Sequence, residues 1–115
     1  MPIDQIDPLI ANPGRLRILA ALAAEPRQPF VQLRSVTRLT DGNLSTHARR
    51  LQSAGLIAIE KQFSAGKPQT TLALTPHGRR ALEAHVAHLT AALRPPEAQV
   101  PSVADVADHV DEWID

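Results

Sequence analysis

Proline divides this chain before any other preference is weighed. A proline donates no backbone hydrogen bond and its ring crowds the preceding turn, so it stands at element boundaries and rarely inside them. Pro13, Pro26, Pro29, Pro68, Pro76 and the pair Pro95-Pro96 therefore cut the sequence into short pieces. Two cuts carry the same signal: in Asn12-Pro13 and Thr75-Pro76 a good N-cap precedes a proline at the first helical position. Behind the first, Leu16, Leu19, Ala20 and Ala23 recur at helical spacing, and Ile18 and Leu22 widen the apolar face. Pro26 and Pro29 end that helix and open a second, short one. Phe30, Leu33 and Val36 make one of its faces, and Arg34 and Arg38 lie on the other.

Thr40 is placed to cap a third helix running to about Ala54, where Gly55 can take a left-handed terminal conformation. Leu44, Ala48 and Leu51 are spaced to face inward. At about 100° per residue, Gly42, Thr46, Arg49 and Ser53 fall on the opposite side, flanked by Arg50, Asn43 and Ser45. The helix has a narrow dry face and a wide polar, basic one. Leu56–Phe63 and Gln69–Leu74 read as two strands of a hairpin joined by the turn Ser64–Pro68. The fourth helix opens at Thr75-Pro76 and runs to about Leu93, with Leu82, Val86, Leu89 and Leu93 at i, i+4, i+7 and i+11. After the Pro95-Pro96 stop, Val103, Val106, Ala107, Val110, Trp113 and Ile114 form the apolar stripe of an acidic, amphipathic last helix.

The charges sum to zero, which hides their distribution. All 12 Lys and Arg lie within residues 12–94 against four acids, giving that segment +8; residues 1–11 carry −2 and residues 95–115 carry −6. A basic domain suits a polyanion partner, and the acidic tail suits packing, screening or self-control. At 115 residues the length fits one domain, and an aromatic share of only 3% leaves the core to Leu, Ile, Val and Ala. With no cysteine there are no disulfides, no thiolate zinc site and no thiol chemistry. The start MPIDQIDPLI has no secretory signature, and no stretch is long and apolar enough to span a bilayer, so a cytoplasmic protein is expected.

Helix, helix, tight turn, helix, hairpin, helix is the order of a winged helix-turn-helix domain. The run LTDGNLSTHARRLQSAGLI, the hairpin tip SAGKP and the segment LTPHGRRAL resemble the MarR/ArsR-like winged-helix transcriptional regulators over roughly residues 9–93. Ala48 departs from that pattern, since such proteins often carry a larger apolar residue there. The fold class expected is mainly α with a small β-hairpin: a winged helix DNA-binding domain over residues 1–94, then an acidic amphipathic helix over residues 95–115.

The resemblance implies that Thr40–Ala54 is a recognition helix lying in the major groove of double-stranded DNA, and the helical wheel agrees. Arg49 and Arg50 can grip guanine edges, Asn43 can read adenine, and Ser45 and Thr46 are short donors for phosphates or base edges. Arg34 adds charge beside that helix, while Lys61 and Lys67 bracket the hairpin within reach of flanking phosphate. His47 is placed either to touch the DNA backbone or to fill a half-buried gap. A module that offers the same basic face to an acidic protein is the alternative, but the short polar register of Asn43, Ser45 and Thr46 suits base edges better.

His85 and His88, three apart, could share a metal, but without cysteine or a carboxylate pattern a helix-surface or dimer-contact role is favoured and no metal or other cofactor is expected. Ser45 and His47 point in different directions on their helix, so they make no nucleophile and base, and no enzyme is expected. A homodimer is expected through Leu82, Val86, Leu89 and Leu93 together with Val103, Val106, Val110, Trp113 and Ile114. A tail packed on its own first helix, or one folded over Arg49 and Arg50 as a mimic of DNA, are the alternatives. Any small-molecule effector is unspecified by the sequence.

Overall fold

The computed structural model describes residues 7–94. The expected last helix, with Val103, Val106, Val110, Trp113 and Ile114, lies outside the described residues. Among the described residues five helices, α1 Pro8–Ala11, α2 Pro13–Ala24, α3 Phe30–Thr37, α4 Asp41–Ser53 and α5 Pro76–Leu93, accompany three strands, β1 Arg27–Pro29, β2 Ile57–Ser64 and β3 Lys67–Leu74.

Each expected cap forms and fixes where its helix starts. Asn12 Oδ1 accepts from the backbone N–H of Gly14 at 2.9 Å and of Arg15 at 3.2 Å. Thr40 Oγ1 accepts from Asn43 N–H at 3.1 Å, and Thr75 Oγ1 accepts from Gly78 N–H at 2.9 Å. Each bond satisfies a backbone donor that the first helical turn leaves without a partner. At the other end of α3, Arg38 takes the left-handed conformation (φ 61°) and turns the chain through Leu39 into α4. That helix, turn and helix set α4 across α2 and against β2.

The three strands form one antiparallel sheet in the order β1-β3-β2. The hairpin turn is tighter than the five-residue turn the sequence suggests. Ser64 pairs with Lys67, and only Ala65 (φ 53°) and Gly66 (φ 78°) lie between the strands. Two positive φ values in a row make the turn whose twist matches the strands it joins. Pro68 is consequently inside β3, where β1 pairs no further than Thr71 and the proline meets a free strand edge.

Strand β1 and the short helix α1 are absent from the sequence reading. The prolines around Arg27-Gln28 mimic a linker, but Gln28 is buried and its side chain donates at 2.8 Å to the carbonyls of both Ala21 and Glu25. That amide ties the end of α2 to the sheet, and Arg27 forms an ion pair with Glu60 of β2. The faces of two helices also differ from expectation. In α3 the buried positions are Leu33 and Thr37, one turn apart, which leaves Val36 58% exposed on the outer side. In α2, Ala20 faces outward and Arg15 is buried instead.

The core joins Ile18, Leu19 and Leu22 of α2 to Leu44, Ala48 and Leu51 of α4, with Leu33, Leu56, Ile57, Leu72 and Leu82 closing its sides. Leu82, expected in a dimer contact, is instead packed into this chain's own core. At its start α5 meets the chain leaving α4, and further along it packs on α2. The junction is close. Thr75 Oγ1 lies 2.7 Å from the Gly55 carbonyl and 3.0 Å from that of Leu56, and the Thr75 N–H donates to the latter at 3.1 Å.

Gly78 is buried against the same carbonyl, and a Cβ added there would overlap the Leu56 oxygen. Gly78→Ala is therefore expected to destabilise the fold by about 1–3 kcal/mol or more in urea unfolding. Gly42, with open space around it and an ordinary helical φ, provides the contrast: Gly42→Ala is expected to stabilise by about 0.5 kcal/mol. Equal effects at the two positions would contradict this account of the junction.

Candidate nucleic-acid interface

The outward face of α4 is a consequence of how little of that helix is apolar. Burying Leu44, Ala48 and Leu51 leaves Asn43, Thr46, Arg49 and Arg50 exposed and Ser45 half-buried at the margin. Asp41 in the first turn favours the positive end of the helix and receives Arg34 Nη1 at 2.8 Å. Arg34 is thus a half-buried brace between α3 and α4, its charge already partnered.

Between α4 and the hairpin runs an open cleft of about 590 Å³. Ser45, Arg49 and Gln52 form its helical wall, Ala48 and Phe30 its floor, and Ile59, Lys61, Thr70 and Leu72 its sheet wall. Alternation along the strands explains the sheet side: Ile59 and Lys61 are two apart on β2 and pair with Leu72 and Thr70 on β3. Lys61 therefore shares a surface with Arg49. Lys67 sits exposed at the hairpin's turn, where its pairing with Ser64 puts it one strand step off the Lys61 face. Of the sequence-predicted residues, Asn43, Ser45, Thr46, Arg49, Arg50 and Lys61 come together as one basic, polar side of the molecule, and Lys67 stands apart at the hairpin tip.

His47 belongs to another part of the structure. It is half-buried against the start of α2, so close to Gly14 that a Cβ there would fall 2.7 Å from its Nε2. Arg15 Nη1 lies 3.4 Å from His47 Nδ1, and Arg15 Nε donates to the Leu9 carbonyl of α1 at 2.6 Å. A guanidinium only donates, so Nδ1 accepts and the neutral ring carries its proton on Nε2. Burial first, then the charges of Arg15 and Arg50, hold the His47 pKa below its ordinary value. Arg15 escaped the sequence reading because an arginine between apolar positions reads as surface. Its partners are a carbonyl six residues back and a histidine 32 residues ahead.

His85 also differs from expectation. It is buried in α5, not at the helix surface, and its Nδ1 has no hydrogen-bond partner among the described residues. His88 is half-buried. Among the described residues no group of three or more His, Cys, Asp or Glu side chains could hold a metal ion, and no helix is long and apolar enough to cross a membrane. Beyond Leu82, the outer side of α5 leaves Val86 52% and Leu93 74% exposed, with Leu89 half-buried.

Comparison with known proteins places this geometry. The family model for the winged helix DNA-binding domain matches residues 15–93. An uncharacterized protein of Methanocaldococcus jannaschii is 32% identical over 72 residues, which cover 63% of this chain and 78% of that protein. The structure of a transcriptional regulator homologue from Pyrococcus horikoshii OT3 matches with a TM-score of 0.70 at 33% identity, covering 74% of this chain and 84% of that one. A MarR family transcriptional regulator from Silicibacter pomeroyi shares the fold at a TM-score of 0.53 and 22% identity, covering 92% of this chain and 72% of that one. The resemblance read from the recognition-helix segment and the hairpin is borne out.

The His47 environment has a pH signature. A histidine whose folded pKa is lowered gives up its proton on folding, so the unfolded chain binds more protons between the lowered and the ordinary value. Its contribution to stability is complete above the ordinary histidine range and is lost as pH falls through the folded value. Urea unfolding across roughly pH 4–8 should show this loss in the unaltered protein and a shallower one in His47→Gln. Parallel pH profiles for the two would contradict the assignment.

Proposed function

Because the chain belongs to the winged helix DNA-binding domain family, we propose that it is a sequence-specific regulator of transcription that lays α4 in the major groove and rests its hairpin on the flanking backbone. The observation that carries this reading is the single surface formed by the polar face of α4 and the Lys61 side of the hairpin. An α-helix fits the major groove, and its exposed side chains are of the types that read base edges there. Arg49 and Arg50 are assigned to guanine, Asn43 to adenine, and Ser45 and Thr46 to phosphate or base edges. Lys61 and Lys67 are assigned to phosphates, which position the protein without reading sequence. Arg34 acts indirectly, by bracing α4 through Asp41.

The working unit in this reading is a homodimer. Val86, Leu89 and Leu93 extend one apolar strip along the part of α5 that the core does not use. A second copy covering that strip doubles the number of phosphate contacts. The apolar residues of the segment beyond Arg94 are assigned to the same contact.

Binding to random-sequence and selected duplexes as a function of salt tests the reading. With Arg49, Arg50, Lys61 and Lys67 from two subunits, log K against log salt should fall with a slope of roughly −4 to −7, at about −0.9 per neutralised phosphate. Val86→Glu should separate the subunits in sedimentation and bring the slope to about half. Asn43→Ala and Arg50→Ala should each cost about 1–3 kcal/mol on the preferred site and relax preference at one or two positions. Lys67→Ala should weaken all duplexes alike. A flat salt response, or a change of preferred sequence in Lys67→Ala alone, would contradict the assignment.

A further inference from the structure

The chain has two phenylalanines and one tryptophan, and one of these three aromatic side chains stands at the far end of the hairpin. Phe63 is 80% exposed, the most exposed large apolar side chain among the described residues. Its register defines which side it is on. Ile59, Lys61 and Phe63 alternate along β2, and their partners Leu72, Thr70 and Pro68 alternate along β3. The first two pairs line the cleft that faces Ser45 and Arg49 of α4. Phe63 is the next step outward on that same face, about 7 Å beyond Lys61 at the ordinary strand rise.

The surroundings favour a polyanion over a second protein. Lys61 precedes Phe63 on its face, and Lys67 stands at the turn beside it, one strand step off that face. The only acid in the hairpin, Glu60, alternates to the other face and is held by Arg27. Pro68 opposite Phe63 adds a second rigid apolar group without a charge. A cation on the same face as an uncharged aromatic wedge, with a second at the turn, suits a groove bordered by phosphates, where apolar side chains enter between base pairs and unstack them.

We infer that Phe63, backed by Pro68, is a wedge that enters the minor groove beside the α4 site, unstacks one base step and bends the duplex there. This rests on the reading that α4 occupies the major groove. It adds a specificity that no hydrogen bond supplies: pyrimidine–purine steps, TA and CA/TG, open most easily, so the preferred duplex carries one where the hairpin lands. Each subunit of a dimer places one such step on its own flank.

The experiment uses the full chain and a duplex selected from a random pool, with 2-aminopurine substituted in turn at each position flanking the bases that α4 reads. The unaltered protein should raise the fluorescence of the probe at one step on each flank, reporting loss of stacking. Because the side chain is exposed, Phe63→Ala leaves the core untouched. It should abolish the rise, weaken binding about tenfold and remove the TA or CA/TG preference from a repeated selection, while the bases assigned to α4 stay the same. Phe63→Leu should keep much of the signal. A probe that stays silent at every position while the protein binds a preferred duplex would overturn the wedge and leave the α4 assignment standing. So would a rise that survives Phe63→Ala. A halved sedimentation mass in Phe63→Ala would identify the side chain as a contact between copies and overturn it too. Failure of the unaltered protein to bind any duplex would overturn both readings.

Discussion

The stripe Leu44–Ala48–Leu51 holds α4 in place, and the surface that α4 presents depends on it. A 13-residue helix is marginal in isolation, and the first half of this one contains Gly42, Asn43, Ser45, Thr46 and His47, all weak helix formers. Its stability must come from packing. Full burial of each leucine is worth roughly 1.5–3 kcal/mol, comparable to the cost of ordering several exposed residues. The stripe is also narrow. Three buried positions fix the rotation of the helix about its axis, and that rotation turns Asn43, Thr46, Arg49 and Arg50 outward together. The small, buried side chain of Ala48 lines the cleft between the helix and the sheet.

Charge is arranged around that stripe in two tiers. At the edges of the surface, carboxylates have partners: Glu60 with Arg27 across the sheet, and Asp41 with Arg34 across the helical turn. Exposed pairs of this kind contribute little stability, and their use here is to hold elements in register. On the surface itself Arg49, Arg50 and Lys61, and at the hairpin tip Lys67, have no carboxylate partner among the described residues. Behind α4, the one buried arginine is satisfied by a carbonyl and a neutral histidine, so positive charge reaches the underside of the helix without a buried counter-ion. The same arrangement makes a charged His47 unwelcome.

What could be read from the sequence was local. The caps Asn12, Thr40 and Thr75 and the terminal Gly55 signal their elements through bonds spanning two to four residues, and all were legible. The hairpin was legible in its strands, but the turn was read as too long because an alanine in the left-handed region gives no warning in its identity. Strand β1 was invisible for a physical reason: three residues that follow one proline and end on another have no pattern of their own, and their order comes from β3, more than 40 residues away. Arg15 and His85 failed in the same way. Each is polar by type and buried by tertiary packing, and helical periodicity cannot announce either. In the candidate site, the outward residues of α4 were correctly placed by the wheel, whereas Arg34 looked free until Asp41 was brought near, and His47, open between backbone contact and half-buried filler, is the filler beside Arg15.

Amide hydrogen exchange of the full chain with and without a bound duplex tests most directly whether α4 and the hairpin act as one binding surface. The expected result is slowed exchange in the first half of α4 and around Ala65-Gly66 at the tip of the hairpin, with β1 and the N-terminal half of α5 unchanged. Slowing confined to α5, or a duplex that leaves α4 unaffected, would contradict it.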